Sequence, residues 1–250
     1  MLKPLVSVIM PCHNAEAYVR EAVKSVCCQS VTEWELVAVD DGSTDGTLKI
    51  LREQEKEDGR IRVIALKQAS GSPATPRNKG IEAARGRYIA FLDSDDQWMP
   101  FKLQDQLMLM KQGEAFVYSN YEKVDSLGTR QGRIVTAPQR ADYRQLLRGN
   151  YIACSTVMYD TEVIGKRYFK CIGHEDFCCW LDILRDGFQA CNTNTVEMLY
   201  RVTNGSVSHN KLKTIAWTWH ILRQEQKLRW LPAVYYLMSH LIKASLKKRI

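Results

Sequence analysis

No apolar stretch in this 250-residue chain reaches the roughly 18–20 residues of a membrane-crossing helix. The start, Met1-Leu2-Lys3-Pro4-Leu5, has no apolar core of a secretory signal, so the chain is expected to be made and kept in the cytosol. None of the eight cysteines, at 12, 27, 28, 154, 171, 178, 179 and 191, falls in a CxxC pair, which removes zinc-ribbon spacing. They read as reduced thiols used as small hydrophobes. There is no GxGxxG and no Walker A sequence, which disfavours dinucleotide and P-loop chemistry. Neither internal repeats nor low-complexity segments occur.

Apolar residues make up 45% of the chain, ample for a core, and the length suits one α/β domain with an appendage or two small domains. The net charge of +7 is unevenly placed. Residues 211–250 hold nine Lys or Arg and one Glu, so the first 210 residues are close to neutral. A basic tail on a near-neutral body points to a local anionic partner, not to a nucleic-acid-coating protein.

Hydrophobic periodicity predicts strands at 5–10, 35–39, 62–66 and 87–92, alternating with helices over 15–29, 48–58 and 77–84. Asn14 and Asp45 are read as N-caps of the first two helices. Strands alternating with helices mean a mostly parallel sheet flanked by helices, with right-handed crossovers placing the strand C-termini on one edge. Further on, the pattern predicts a helix over 101–111, strands at 115–121, 152–159 and 196–202, a polar loop region over 125–150, and an amphipathic helix over 175–185. Beyond Ser208 the chain reads as helical, broken at Pro232.

Three acidic clusters carry the chemistry. Asp93-Ser94-Asp95-Asp96 ends the fourth strand, and Asp40-Asp41 ends the second. Side chains at i and i+2 of extended backbone point the same way, so Asp93 and Asp95 can converge on one point. Clustered carboxylates repel unless a cation joins them, and Mg²⁺ or Mn²⁺ is the natural guest. The third cluster, Glu175-Asp176, opens the amphipathic helix, where acids also suit the helix dipole. Ligands of open α/β sheets bind at the strand C-terminal edge, where Cys12-His13-Asn14, Asp40-Asp41 and 93–96 all fall.

Four segments occur in order: Val6–Asn14 (VSVIMPCHN), Val39–Asp45 (VDDGSTD), Pro76–Gly80 (PRNKG) and Phe91–Asp96 (FLDSDD). Over about residues 5–205 the chain resembles the family 2 glycosyltransferases with their GT-A fold, particularly those of bacterial O-antigen and capsule synthesis. The resemblance implies a nucleotide-sugar donor held by Pro11, His13, Asn14, Asp40, Asp41 and Arg77, with Asp93 and Ser94 close by. It implies a metal at Asp95 and Asp93, and a catalytic base at Asp176, with Glu175 as runner-up. It also implies inversion at the anomeric carbon. His13 departs from the pattern, which frequently has Tyr there, although an imidazole can also stack on a base. Either Asp40 or Asp41 would accept the ring N–H of uracil. Arg77 either contacts the nucleotide or balances the acidic cluster. His209 could approach the metal or diphosphate. Trp180 reads as core, with an acceptor-pocket role as the alternative.

The chain is thus expected to have a catalytic unit over 1–210 and a basic amphipathic tail over 211–250. The aromatics, aliphatics and cations of the tail suit an interfacial helix on anionic lipid, or else pack on protein. The expected reaction is metal-dependent transfer of a sugar, from a UDP-linked donor, onto a lipid-linked saccharide at the inner face of the cell membrane. Two other classes compete with this reading. A nucleotidyltransferase should show a Gly-rich N-terminal loop for the triphosphate, whereas Pro11-Cys12-His13-Asn14 has no Gly. A non-catalytic peripheral membrane protein should have lost acidic positions.

Overall fold

A computed structural model describes residues 3–202 and 211–246. Strands β1 (Val6–Cys12), β2 (Trp34–Asp40), β3 (Ile61–Ala65) and β4 (Tyr88–Phe91) alternate with helices α1 (Val19–Cys27), α2 (Thr47–Glu57) and α3 (Ala74–Ala83). Next come β5 (Gln97–Trp98), α4 (Lys102–Lys111), β6 (Phe116–Val124), β7 (Arg130–Val135), β8 (Arg140–Ala141) and α5 (Tyr143–Leu147). β9 (Met158–Asp160), α6 (Thr161–Ile164), α7 (Glu175–Arg185) and β10 (Ala190–Arg201) complete the body. The tail is α8 (Lys211–His220) running into a π-helical turn (Ile221–Glu225), then α9 (Trp230–Leu246).

All the described strands join one sheet, in the order β3-β2-β1-β4-β9-β6-β10-β5 along its main path. β1 pairs in parallel with β2 and β4, β2 with β3, and β6 with β10. β9 is inserted antiparallel between β4 and β6. The expected α/β architecture is therefore observed. β1 and β2 are buried along their whole length, as strands covered by helices on both faces must be. Their alternate side chains feed two cores. Val8 and Met10 pack toward α1, α2 and α4, while Ile9, Val37 and Val39 pack toward α3, α5 and α7.

Several boundaries differ from the sequence reading. α1 starts at Val19, not after Asn14, because Asn14 has left-handed backbone (φ 48°) and its side chain accepts from Thr44 N at 2.9 Å. Asp45 accepts from Thr47 N, next to the first turn of α2, and from Glu16 N, so it joins two loops as well. The segment read as a strand over 152–159 is a 3₁₀ turn (Cys154–Thr156) followed by short β9. The polar region 125–150 contains β7, an exposed edge strand without hydrophobic alternation, and α5. The tail breaks at 226–229, where Lys227 is left-handed (φ 52°). Pro232 instead lies in the first turn of α9, where a missing N–H costs little.

α7 is the element that positions the site. Phe177, Trp180, Leu181 and Leu184 are buried, and each such side chain contributes about 1.5–3 kcal/mol by leaving water. Trp180 is fully buried among Phe91, Phe116 and Phe169, which makes it a core residue and not a pocket wall. The tail packs on the same core through Ile221, Leu222 and Ala233, flanked by the partly buried Tyr236 and Leu237. No described helix is long and apolar enough to cross a membrane.

Candidate functional site

Backbone pairing brings the ends of β1, β2 and β4 together. Asp41 N donates to the Cys12 carbonyl at 2.7 Å, and Leu92 N donates to that of Ile9 at 3.0 Å. The loops after these strands, carrying His13-Asn14, Asp40-Asp41 and 93–96, therefore share one edge. Pro11 is buried at the end of β1, in register with Val39. His13 Nδ1 donates to the Asp41 carbonyl at 2.8 Å, and Asn14 Nδ2 donates to His13 Nε2 at 3.3 Å, which orients the ring. Ser94 sits in the loop after β4, partly buried and within reach of the buried Cys12 thiol.

Asp40 and Asp41 differ in what they already bind. Both Asp41 oxygens are used by Ser70, through its N–H at 3.0 Å and its hydroxyl at 2.8 Å. Asp40 Oδ2 accepts weakly from Ser43 N at 3.3 Å, while its buried Oδ1 has no partner among the described residues. Gly42 follows with φ 64°, and a Cβ there would lie 2.4 Å from Ala69 N. Only glycine lets the 68–70 loop close this tightly over the pair.

The 93–96 loop is held from three directions. Asp93 N donates to Ser155 Oγ at 3.0 Å, and that hydroxyl donates to Asp96 Oδ2 at 2.7 Å. Arg201, at the end of β10, donates through its N–H to Asp96 Oδ1 (3.1 Å) and through Nε to the Asp95 carbonyl (2.9 Å). Burial and then the Asp95 and Asp93 charges push the Asp96 carboxyl up. Asp95 is pushed up to about 6, first by burial and then by Asp93. No side-chain donor pairs with the Asp95 carboxylate among the described residues. Asp95 is therefore a carboxylate with unmet negative charge, the condition that a cation relieves.

Arg77 links the clusters. It is 4% exposed, donates to Asp93 at 2.6 Å and contacts Glu175 through its other terminal nitrogen. Burial works against its charge, but Asp93 and Glu175 outweigh it and hold the guanidinium protonated. Arg77 thus balances the acidic cluster through Asp93 and Glu175. Beside it, Asp176 accepts from Phe177 N at 2.7 Å. Its carboxyl is pushed up to about 7, first by burial and then by the Glu175 charge, with Arg77 offsetting part of the rise. A carboxyl poised near 7 can take a proton from a hydroxyl and remain ionised at neutral pH. His174, immediately before the helix, is left-handed (φ 57°), and its ring meets Trp217 edge-on at 5.4 Å. A Cβ at Gly173 would lie 2.0 Å from Trp217 Cδ2, so the indole from α8 rests directly on the backbone that leads into Glu175-Asp176.

Asp93, Arg77, Glu175 and Asp176 thus meet, and Asp40, Asp41 and His13 lie along the same edge. His209 lies outside the described residues. Among those residues no group of three acidic, His or Cys side chains forms a metal cage. Two carboxylates still suit a magnesium-like ion, which usually completes its shell with substrate phosphates and water. Sequence reasoning missed Arg201 and Ser155, because neither stands in an acidic or glycine-rich motif. The only signal for Arg201 is a lone cation at a strand end.

The Glycosyl transferase family 2 model matches residues 7–168. The chain belongs to that family. It is a glycosyltransferase, 41% identical over 250 residues to TuaG of Bacillus subtilis, a protein named for teichuronic acid biosynthesis, covering 99% of this chain and 98% of that one. It is also 37% identical over 241 residues to Escherichia coli WfgD, with 95% and 92% coverage. WfgD is named as a β-1,3-glucosyltransferase acting from UDP-Glc on α-D-GlcNAc-diphosphoundecaprenol. Among solved structures, S. aureus TarS with UDP-GlcNAc shares the fold at TM-score 0.73 and 22% identity, over 94% of this chain and 71% of that one. A Pyrobaculum calidifontis mannosyltransferase with GDP-Man and Mn²⁺ does so at TM-score 0.69 and 17% identity, over 96% and 69%.

Proposed function

We propose that this glycosyltransferase moves a sugar, with inversion, from a UDP-sugar to a hydroxyl of a lipid-linked saccharide during bacterial surface-polysaccharide synthesis. The observation that carries the reading is Arg77 bridging Asp93 to Glu175, which sets the raised Asp176 carboxyl beside the acidic loop. The two halves of a transfer site, one for the leaving diphosphate and one for the nucleophile, are then joined by one buried cation. The names of WfgD and WfaP support a UDP-sugar donor and a diphospholipid acceptor. That TarS, which shares the fold, is seen in complex with UDP is in keeping with a nucleotide donor.

In this reading the unpartnered Asp40 Oδ1 accepts the uracil ring N–H, His13 stacks on the base, and Asn14 fixes the ring. Arg77 holds Asp93 and Glu175 in place. Asp95 and Asp93 would hold the metal, which when bound would act as a Lewis acid on the departing diphosphate. Asp176 takes the proton of the acceptor hydroxyl on the side opposite the leaving group. Glu175, tied to Arg77, orients rather than abstracts. Residues 1–210 form the catalytic unit and 211–250 its tail. The exposed stripe of α9 rests on the inner face of the cell membrane, with the basic residues of the tail meeting anionic lipid.

The test is a turnover assay with UDP-sugars and a diphospholipid-linked saccharide, with and without Mn²⁺ or Mg²⁺. Product formation that requires donor, acceptor and metal supports the reading. Turnover unaffected by chelation would remove the metal, and turnover with nucleoside triphosphate instead of nucleotide sugar would favour a nucleotidyltransferase.

A further inference from the structure

Next to the Glu175-Asp176 pair, the body and the tail enclose a cavity of about 180 Å³. Its body wall includes Tyr151, His174 and Phe177, the last two bracketing the acidic pair in sequence. Its tail wall is Thr218 from α8 with His240 and Lys243 from α9. No carboxylate lines it.

Thr218 and His240 in the lining are already hydrogen-bonded, to the Thr214 and Leu147 carbonyls, which leaves Tyr151 and Lys243 as the donors to account for. The Tyr151 hydroxyl is buried with no partner among the described residues. Lys243 is exposed and lies along the backbone at Gly149, where an added Cβ would sit 3.0 Å from its Cδ and 3.4 Å from its Nζ. No carboxylate forms an ion pair with it among the described residues. His240 Nε2 donates to the Leu147 carbonyl at 3.1 Å, and its ring meets Phe177 edge-on at 5.2 Å, which locks α9 to the body. A cation and an orphan phenol without a lining carboxylate make a site for an anion.

The opposite face of α9 adds a second constraint. Leu231, Tyr235, Met238 and Ile242 recur at helical spacing and are 74%, 58%, 51% and 56% exposed. Ala233, Tyr236 and Leu237 form the packed face. One helix therefore presents an apolar stripe outward and, at Lys243, a phosphate-suited cation at the cavity.

Resting on the lipid-linked acceptor proposed above, we infer that this cavity holds the diphosphate of a prenyl-type carrier, with Lys243 and Tyr151 as its contacts. The stripe of α9 keeps the carrier's hydrocarbon in the bilayer beside it, and the saccharide extends toward Asp176. The tail is then one wall of the acceptor site as well as an anchor.

The test is calorimetric titration of the full chain, saturated with UDP to fill the donor site, using farnesyl diphosphate and, separately, inorganic pyrophosphate. Farnesyl diphosphate should bind, Lys243→Glu should weaken it about 10-fold or more, and Tyr151→Phe about 3-fold, the scale of a hydrogen bond to a charged group. Lys243→Arg should restore most of the affinity. Loss of binding in the lysine variant with an unchanged melting temperature separates contact from folding. Binding indifferent to Lys243→Glu overturns the site. Pyrophosphate binding as tightly as farnesyl diphosphate overturns the carrier assignment in favour of free phosphate. In transfer assays Lys243→Glu should raise the acceptor KM for a diphospholipid-linked saccharide while leaving the donor KM unchanged and a phosphate-free alkyl glycoside unaffected. A wild-type chain that binds farnesyl diphosphate through Lys243 yet transfers to no lipid-linked saccharide would sink the proposed reaction while leaving the diphosphate site standing.

Discussion

Replacing Asp176 by Asn should make the protein more stable at pH 8 while abolishing transfer. The Asp176 carboxyl rises from its usual 3.8 to about 7 in the fold, chiefly through burial and the Glu175 charge. The folded chain therefore holds this proton to a higher pH than the unfolded chain does. The stability linked to it is fully present below about pH 4 and is lost progressively as pH rises through about 7. Three pKa units at about 1.4 kcal/mol each set an upper figure of about 4 kcal/mol. Because the side chain is only partly buried, about 2 kcal/mol is expected at pH 8. Asn cannot ionise, and its carbonyl can keep the bond from Phe177 N. The variant should thus melt about 4–8 °C above the wild type at pH 8, with the gap shrinking markedly by pH 5. Thermal unfolding by circular dichroism at both pH values reads this directly. An Asn variant no more stable at pH 8 than at pH 5, relative to wild type, would refute the electrostatic account of this carboxyl.

Asp95→Ala should abolish metal-stimulated turnover and remove the thermal stabilisation that Mn²⁺ with UDP gives the wild type, measured by differential scanning fluorimetry; unchanged metal stimulation would move the ion elsewhere. Trp217→Ala should lower kcat with little change in donor KM, because the indole braces the backbone before Glu175-Asp176, and should cost about 1–2 kcal/mol for a half-buried ring. Trp217→Phe should recover part of the rate, and equal loss in both variants would argue for a general folding defect. Tyr235→Glu with Met238→Glu should reduce cosedimentation with anionic vesicles without lowering the melting temperature, since both side chains are exposed; retained binding would place the membrane contact elsewhere.

The parallel half of the sheet was legible because each strand is a short apolar run ending in an acidic or polar stop, and each crossover helix carries its own spacing. The site edge was legible for the same reason: Asp40 and Asp93 stand where β2 and β4 end. What escaped was set by tertiary contacts. β7 is exposed on its edge, so no hydrophobic alternation marks it. Residues 154–156 leave extended backbone for a turn whose Ser155 hydroxyl binds Asp93 N and Asp96, partners some sixty residues away in sequence. Asn14 looked like a cap because its side chain does satisfy a backbone N–H, but that of Thr44 and not one of its own helix. A buried charge between two acidic motifs could be suspected for Arg77. Its pairing with both Asp93 and Glu175 needed the fold.

The most direct measurement is the pH dependence of kcat/KM for sugar transfer. With Asp176 as the base at about pH 7, the rate should fall close to tenfold per unit as the pH drops below that value and level off above it. A profile flat from pH 5.5 to 8.5 in the wild type, or one retained by Asp176→Asn, would contradict the account.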